Sequence, residues 1–484
     1  MRIFNPESSA DATRDATRDA HAGRLPLVIA LASCVLIGAG LFVYAGIRLG
    51  QEARPVSPAE RDMALSVHSR LNPDQAARYP GAPDLRTPEW AGPPPSPEPS
   101  ARSAILVAAD TGEILYEKNA DEPIPPASMT KLAAMYTAFR ALDAGEIGLG
   151  DRVDLPPESW AKNIPAGSSL MFLGPGQRVT VGELLLGMAV VSGNDAAIAL
   201  ADHVSRSVPA FVERMNGEME RIGLARTRFV EPSGLSEHNV TTAREFADFS
   251  LVYMNEHPEA LALFHSRTGF EYPLRHNLPE GTQGPAIAQR ATNRLLDTLP
   301  GCDGLKTGFI YESGYNISLT ARRGDTRYLA VLMGGPGSTS SEGNELRSRD
   351  GTSLIEWAFG NYRLLRLEGA EGVSLTVWGG LDRALTAIPA GGTSLTVPAD
   401  LAGRIASNGI VPVYIAPASI AAPVQAGDVL GRIEWRSGDL VVHGVPLVAD
   451  RSVQRGSLPY RALESLASLV GAFVSERPES GYRP

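Results

Sequence analysis

The chain has 484 residues, a formal net charge of −10 and a pI near 5.4. This length allows two or three domains, each with a hydrophobic core of its own. The acidic balance, without any basic run, argues against nucleic acid as a partner. The two cysteines are Cys34, in an apolar segment, and Cys302, after a glycine, and such a pair does not predict a disulfide framework.

The first predicted element is a membrane span. Residues 25–47 contain no charged side chain over 23 positions. As a helix they would be about 35 Å long, enough to cross a hydrocarbon core of about 30 Å. The run is longer than the apolar core of a signal peptide, so we favour a single retained transmembrane helix behind a polar tail, residues 1–24. Val43-Tyr44-Ala45 would also fit a cleavage site, and arginines on both sides leave the orientation open.

A proline-rich linker follows at residues 48–100. Nine prolines lie between positions 73 and 99. Because proline interrupts helix interiors and central strands, this segment predicts a semi-rigid spacer, which could reach roughly 80 Å if extended. We therefore expect a folded domain held away from a membrane.

Residues 101–366 are predicted to contain interspersed strands and helices. The segments are strands at 104–109 and 113–116 joined by a tight turn, a helix after Lys131, an apolar helix over 183–191 and a buried strand at 329–333. No Gly-x-Gly-x-x-Gly motif opens a nucleotide-binding unit.

The sequence pattern changes after Arg366. Residues 367–456 contain short runs in which apolar and polar residues alternate, and this pattern predicts a small all-β domain. A helical stripe follows within 457–476, formed by Leu463, Leu466, Leu469, Val470 and Phe473. This amphipathic helix either packs on its own domain, which we favour, or lies on a membrane surface.

Lysine is rare in this chain. Only four of the 44 basic residues are lysines, and two of these lie in Ser128-Met129-Thr130-Lys131 and Lys306-Thr307-Gly308. A buried lysine can lose its proton and act as a base, whereas arginine stays charged. Prolines precede Ser128, so this serine should lie in the first turn of a helix with Lys131 on the same face. Ser159 and Lys162 repeat the spacing, so the tetrapeptide alone is not specific.

A third motif distinguishes the two copies. Ser192-Gly193-Asn194 follows Ser128 by 64 residues, and Lys306 follows Ser192 by a further 114. This set resembles the serine penicillin-recognising enzymes, most closely the D-alanyl-D-alanine carboxypeptidases of bacterial cell-wall metabolism. Ser159 lies only 33 residues before Ser192, which is too short for the family, and that copy is rejected. The resemblance covers roughly residues 101–366, and the β region beyond them matches the family's usual C-terminal addition.

The resemblance implies an α+β catalytic domain of the penicillin-binding-protein and β-lactamase type, with an antiparallel sheet flanked by helices. The implied catalytic residues are Ser128 as nucleophile, Lys131 as base and Ser192 as proton relay. The implied substrate-binding residues are Asn194, Lys306, Thr307, Gly308 and Phe309. Asn194 would bind the substrate amide, Lys306 and Thr307 would bind its carboxylate, and Gly308 would leave space beside the strand. The backbone N–H groups of Phe309 and Ser128 would form the oxyanion hole. No metal or cofactor is implied.

Lys131 can accept a proton only when it is neutral. A free lysine titrates near 10.4. A second ammonium about 4 Å away would lower that pKa by roughly three units, and burial acts in the same direction. We therefore expect Lys306 to be the permanent cation that keeps Lys131 neutral.

The sequence thus predicts a membrane-tethered DD-carboxypeptidase with its catalytic domain in the periplasm and its tail in the cytoplasm. Its expected partners are the D-Ala-D-Ala end of peptidoglycan stem peptides, β-lactams as covalent inhibitors, and the membrane. A β-lactamase and an inactive wall-binding module remain as alternatives. Class A β-lactamases carry the pattern Glu-x-x-Leu-Asn, whereas here Glu231 is followed by Pro232-Ser233-Gly234-Leu235, which argues against a β-lactamase. All three motifs are intact, which argues against an inactive module. Neither Gly-x-Ser-x-Gly nor His-Glu-x-x-His occurs, so other hydrolase classes are not predicted.

Overall fold

The computed structural model describes residues 84–88 and 93–459. The predicted tail, the predicted span at 25–47 and most of the predicted C-terminal helix lie outside these residues. Among the described helices, none combines the length and the apolar character that a bilayer crossing requires.

The first domain contains nine strands and seven helices within the described residues. Its strands are β1 (Ser103–Ala108), β2 (Ile114–Lys118), β3 (Arg152–Val153), β4 (Val179–Thr180), β5 (Gly269–Tyr272), β6 (Ile287–Arg290), β7 (Cys302–Ile310), β8 (Gly314–Arg323) and β9 (Thr326–Gly335). Its helices are α1 (Thr130–Asp143), α2 (Val181–Val190), α3 (Asn194–Ser205), α4 (Val208–Ile222), α5 (Ala243–Glu256), α6 (Leu295–Thr298) and α7 (Ser340–Asn361).

Five strands form an antiparallel sheet in the order β2-β1-β9-β8-β7. Side chains of a strand alternate between the two faces, and β1 shows this directly. Ile105 and Val107 pack into the core shared with α1, α2 and α5, whereas Leu106 packs into the core under α7. Because helices cover both faces, β1 and the middle of β9 are buried throughout. The predicted hairpin and the predicted buried strand are confirmed.

The apolar helix α2 begins two residues earlier than predicted. Thr180 accepts a hydrogen bond from the backbone N–H of Glu183, and the Glu183 carboxylate accepts one from the backbone N–H of Thr180. This capping box satisfies N–H groups at the helix start and fixes its position. The helix ends at Val190, and α3 begins at Asn194, so the predicted Ser-Gly-Asn motif connects two helices.

The second domain is built mainly of strands, as predicted. They are β10 (Tyr362–Arg366), β11 (Val373–Trp378), β12 (Ala384–Pro389), β13 (Ser394–Pro398), β14 (Val411–Ile415), β15 (Ser419–Ala421), β16 (Val429–Ser437) and β17 (Leu440–Ala449). β10 pairs with β13, and the other six form a sheet in the order β14-β16-β17-β12-β11-β15. Trp435 is fully buried in the core of this domain. One helix, α8 (Ala399–Asn408), was not predicted.

The described part of the predicted linker lies against the folded body. Trp357 donates a hydrogen bond to the carbonyl of Pro95 at 2.7 Å, and the Asp350 carboxylate accepts one from the backbone N–H of Ser100 at 2.7 Å. The backbone of Arg86 donates to the carbonyl of Gly112 and accepts from the N–H of Ile114, and the Arg86 side chain forms an ion pair of 2.5 Å with Glu113. Residues 84–88 and 93–100, predicted as part of a spacer, are therefore docked on the folded body.

Glu113 also joins the two domains. Its carboxylate accepts a hydrogen bond from the hydroxyl of Thr111 and one of 3.3 Å from the backbone N–H of Thr396 in β13. Arg86, held by the same carboxylate, reaches the carbonyl of Ser394 at 3.5 Å. The linker, the first domain and the second domain thus meet at one buried carboxylate.

Candidate active site

Ser128 lies in a single 3₁₀ turn, Ala127–Met129, directly before α1. The residue before it, Ala127, has a φ of +51°, a conformation that costs energy for a residue with a side chain. Gly234 packs against this turn, and a Cβ at Gly234 would overlap the carbonyl of Ala127. Packing from a distant loop therefore holds the predicted nucleophile in its strained turn.

Lys131 lies one turn along on the same face, as predicted. Its Nζ is 3.0 Å from Ser128 Oγ and 2.6 Å from Asn194 Oδ1, and it also donates to the carbonyl of Ser233. The side chain is fully buried. A neutral amine has two N–H donors and one lone pair, so it can donate to Asn194 and Ser233 while accepting the Ser128 hydroxyl proton. This geometry suits a base.

Lys306 occupies the facing strand, β7, and is also buried. Its Nζ donates to Ser192 Oγ at 3.0 Å and to the carbonyl of Thr307 at 2.9 Å. Ser192 itself has a φ of +61°, so a second strained residue lies at this site. The Thr307 hydroxyl donates to that of Thr292 at 2.9 Å.

Gly308 of β7 packs closely against the turn that carries Ser128. A Cβ at Gly308 would lie 2.5 Å from the carbonyl oxygen of Pro126 and 3.1 Å from the backbone nitrogen of Ser128. The missing side chain therefore lets β7 approach the turn that carries the nucleophile. Gly308 also lines the cleft, and its role in leaving space for a ligand along the strand stays a prediction.

Lys131 and Lys306 are both buried, but the charged groups around them shift their pKa values in opposite directions. Burial lowers the pKa of Lys131 to about 7, against the opposing charges of Glu231 and Asp195. Burial also lowers the pKa of Lys306, and there the nearby cations Lys131 and Arg347 act in the same direction. The surroundings of Lys306 lower its pKa without an opposing anion, so they do not by themselves favour the permanent cation that we expected, and that role stays a prediction.

Two buried groups that the sequence analysis did not identify support β7. His265 donates from Nδ1 to the carbonyl of Leu305 at 3.2 Å and accepts from the Tyr253 hydroxyl at 2.8 Å, and burial lowers the pKa of this imidazole to about 4. Arg347 donates to the carbonyls of Gly308 and Asn316 at 3.3 and 3.1 Å. No sequence motif marked either residue.

Most of the motif residues line one cleft of about 920 Å³, whereas Lys131 and Lys306 are buried beside it. Those lining it include Ser128, Ser192, Asn194, Thr307, Gly308 and Phe309. Three arginines (Arg290, Arg294 and Arg347) and two acidic residues (Asp297 and Glu312) also line the cleft, and Arg290 forms an ion pair with Asp297.

The rejected copy of the tetrapeptide is structural. Ser159 is buried and donates its hydroxyl to the carbonyl of Pro156 at 2.8 Å. Lys162 lies over the ring of Trp160, 5.0 Å from its centroid. The serine and the lysine thus have separate partners.

Comparisons with known proteins agree with this geometry. Residues 91–337 match the family described as D-alanyl-D-alanine carboxypeptidase, and residues 363–455 match the C-terminal domain of penicillin-binding protein 5. The D-alanyl-D-alanine carboxypeptidase DacC of Escherichia coli is 32% identical over 368 residues, which cover 75% of this chain and 86% of that protein.

Solved structures extend the similarity to both domains. Penicillin-binding protein 5 of Haemophilus influenzae superposes with a TM-score of 0.65 at 28% identity, over 75% of this chain and all of that one. Penicillin-binding protein 6B of E. coli gives a TM-score of 0.59 at 29% identity, over 76% and 99% of the two chains. The chain belongs to the S11 peptidase family, the D-alanyl-D-alanine carboxypeptidases, and carries the C-terminal domain of penicillin-binding protein 5.

Proposed function

We propose that this protein removes the terminal D-alanine from peptidoglycan stem peptides through an acyl-enzyme on Ser128. The observation that carries this proposal is the 3.0 Å contact between Ser128 Oγ and a buried lysine amine, in a chain of the carboxypeptidase family. β-Lactams would acylate the same serine and act as covalent inhibitors.

Substrate binding would bring an anion next to Lys306. The C-terminal carboxylate of the peptide would bind between the ammonium of Lys306 and the hydroxyl of Thr307. An anion there favours the charged form of Lys306, whose protein surroundings otherwise oppose it. A charged Lys306 would in turn favour the neutral form of Lys131, which agrees with our assignment of Lys306 as the cation of the pair.

Acylation follows from that state. Ser128 Oγ attacks the carbonyl carbon of the penultimate D-alanine, and its proton passes to the neutral Lys131 amine. The backbone N–H groups of Ser128 and Phe309 stabilise the oxyanion, and Asn194 orients the substrate amide. Ser192, in contact with Lys306, passes a proton to the leaving D-alanine nitrogen as the peptide bond breaks. Water then hydrolyses the Ser128 ester.

The β-lactamase alternative loses support at Glu231. Its carboxylate accepts hydrogen bonds from the backbone N–H groups of Ser233 and Gly234 and from the Asn239 amide. A carboxylate engaged in this way by its own loop is poorly placed to activate a deacylating water. The inactive-module alternative conflicts with the contacts among the motif residues.

We further propose the predicted organisation: tail 1–24, membrane anchor 25–47, linker 48–100, catalytic domain 101–366, β domain 367–456 and terminal helix 457–476. The proposed substrate occurs outside the cytoplasm, so the anchor would place its N-terminus inside and the catalytic domain in the periplasm.

A labelled penicillin tests the nucleophile. The full-length protein is incubated with the label, digested and examined by mass spectrometry. We expect one adduct, on the peptide that contains Ser128, and none in Ser128→Ala. An adduct on another residue, or no adduct on the folded wild type, would contradict the proposal.

A further inference from the structure

The carboxylate of Glu231 organises a loop behind the nucleophile. One oxygen accepts from the backbone N–H and the hydroxyl of Ser233, at 2.7 and 2.5 Å. The other accepts from the backbone N–H of Gly234 at 2.6 Å and from the Asn239 side-chain amide at 2.8 Å. These bonds turn residues 231–236 back on themselves.

This loop contacts the catalytic groups directly. The carbonyl of Ser233 accepts a hydrogen bond from Lys131 Nζ. Gly234, with a φ of +85°, fits against Ala127 and the backbone nitrogen of Ser128. The Glu231 carboxylate therefore positions the Ser233 carbonyl, which accepts a hydrogen bond from Lys131, and Gly234, which packs against the turn of Ser128.

The charges facing Lys131 come from three elements. Glu231 on the loop and Asp195 on α3 are anions that favour the ammonium form, and burial opposes them. The facing cation is Lys306 on β7, behind which lies Arg347 of α7. Asp195 points its carboxylate away toward the backbone N–H groups of residues 171–173. Glu231 is thus the anion whose own loop also touches the base.

We propose that Glu231 is a positioning residue whose negative charge sets the pH below which Ser128 can no longer be acylated. The inference rests on the proposed function, since it assigns Lys131 as the base for Ser128. A neutral residue of the same shape at position 231 would lower the pKa of Lys131. Lys131 would then stay neutral, and Ser128 would be acylated, down to a lower pH.

The test compares acylation rate constants of four full-length proteins with fluorescent penicillin across the acidic and neutral range. They are the wild type, Glu231→Gln, Glu231→Asp and the control Glu237→Gln. The half-maximal pH is the pH at which the acylation rate constant reaches half of its maximum. We expect Glu231→Gln to lower this half-maximal pH by about one unit. Glu237 is exposed and follows the same loop, so its replacement removes an equal charge and should leave the profile in place. Glu231→Asp keeps the charge and should hold its half-maximal pH close to the wild-type value.

Folding and charge effects separate in this design. Unfolded protein lowers the final amount of adduct but does not move the pH profile of the fraction that reacts. A Glu231→Gln profile that coincides with the wild type, or a Glu231→Asp profile displaced equally far, would overturn the inference. Should Glu231→Gln yield no reactive fraction, Glu231→Ala, which also removes the charge, takes its place: a lower half-maximal pH than the wild type supports the inference, and an unchanged one overturns it. Absence of adduct on the wild type would instead contradict the proposed function itself.

Discussion

The fully buried Lys131 Nζ lies 3.0 Å from Ser128 Oγ at the edge of the cleft, and this relationship links the fold to the chemistry. The 3₁₀ turn before α1 places the hydroxyl and the amine on one helical face. Burial removes water from the amine and so favours its neutral form. A serine with an ordinary, charged lysine beside it would lack a proton acceptor at neutral pH.

The pH dependence of acylation follows from this burial. The pKa of Lys131 is lowered to about 7, and only the neutral amine accepts the serine proton. The acylation rate constant should therefore rise with pH through about 7 and fall about tenfold for each unit below it. Stopped-flow measurements with a fluorescent penicillin would show this profile. A rate that increases only near pH 10 would mean that Lys131 behaves as an ordinary lysine.

Asn194→Asp should shift that profile upward. The substitution places a carboxylate where an amide oxygen now lies 2.6 Å from Lys131 Nζ, and an adjacent anion raises the pKa of the lysine by about 1–3 units. Acylation at neutral pH should slow accordingly. Asn194→Ala removes the same hydrogen bond without adding charge, so its half-maximal pH should remain below that of Asn194→Asp. Equal profiles for the two variants would contradict the argument.

Gly234→Ala should damage both stability and acylation. Its φ of +85° disfavours any side chain, and the new Cβ would overlap the Ala127 carbonyl. We expect a loss of at least about 1–3 kcal/mol in the free energy of unfolding and little adduct on Ser128. Gly217→Ala, on the exposed side of α4 with open space around the added Cβ, should instead stabilise the protein by about 0.5–1 kcal/mol. Thermal unfolding and adduct formation measure both effects.

Glu113→Ala should loosen the docked linker. The change leaves the Thr396 N–H and the Arg86 guanidinium without their carboxylate acceptor, and it should cost about 1–3 kcal/mol. Hydrogen exchange should become faster at Arg86 and at the β13 end of the second domain. Glu213→Ala, at an exposed position on α4, serves as the control and should leave exchange there unchanged. Equal exchange in both variants would mean that the contact among the linker and the two domains does not depend on Glu113.

The sequence predicted the parts of the fold that depend on local pattern. The hairpin of β1 and β2 follows from two strand-like segments joined by a tight turn, and the buried β9 follows from an apolar run that ends at two glycines. Helix α8 was missed because its apolar positions lie inside a region of short alternating strands. The docking of residues 93–100 was missed because a proline-rich composition predicts backbone conformation but not packing against Trp357 and Asp350.

In the candidate site, too, some residues could be predicted from sequence motifs, whereas the contributions of others depend on the tertiary fold. The three motifs located the residues that the fold brings together, because their order and spacing resemble a known family. The contributions of Glu231, His265 and Arg347 arise only when loops and helices distant in sequence close on β7 and α1. The origin of the low Lys131 pKa was also predicted incompletely: burial is its principal cause, and burial depends on the packed structure.

The most direct test of the account is D-alanine release from a diacyl tripeptide that ends in D-Ala-D-Ala, measured for the wild type and Ser128→Ala side by side. The account predicts D-alanine release by the wild type and a loss of at least about a thousandfold in the variant, with its unfolding temperature preserved. Release at comparable rates by both proteins, or by neither when both are folded, would contradict the assignment of Ser128 as the nucleophile of a carboxypeptidase.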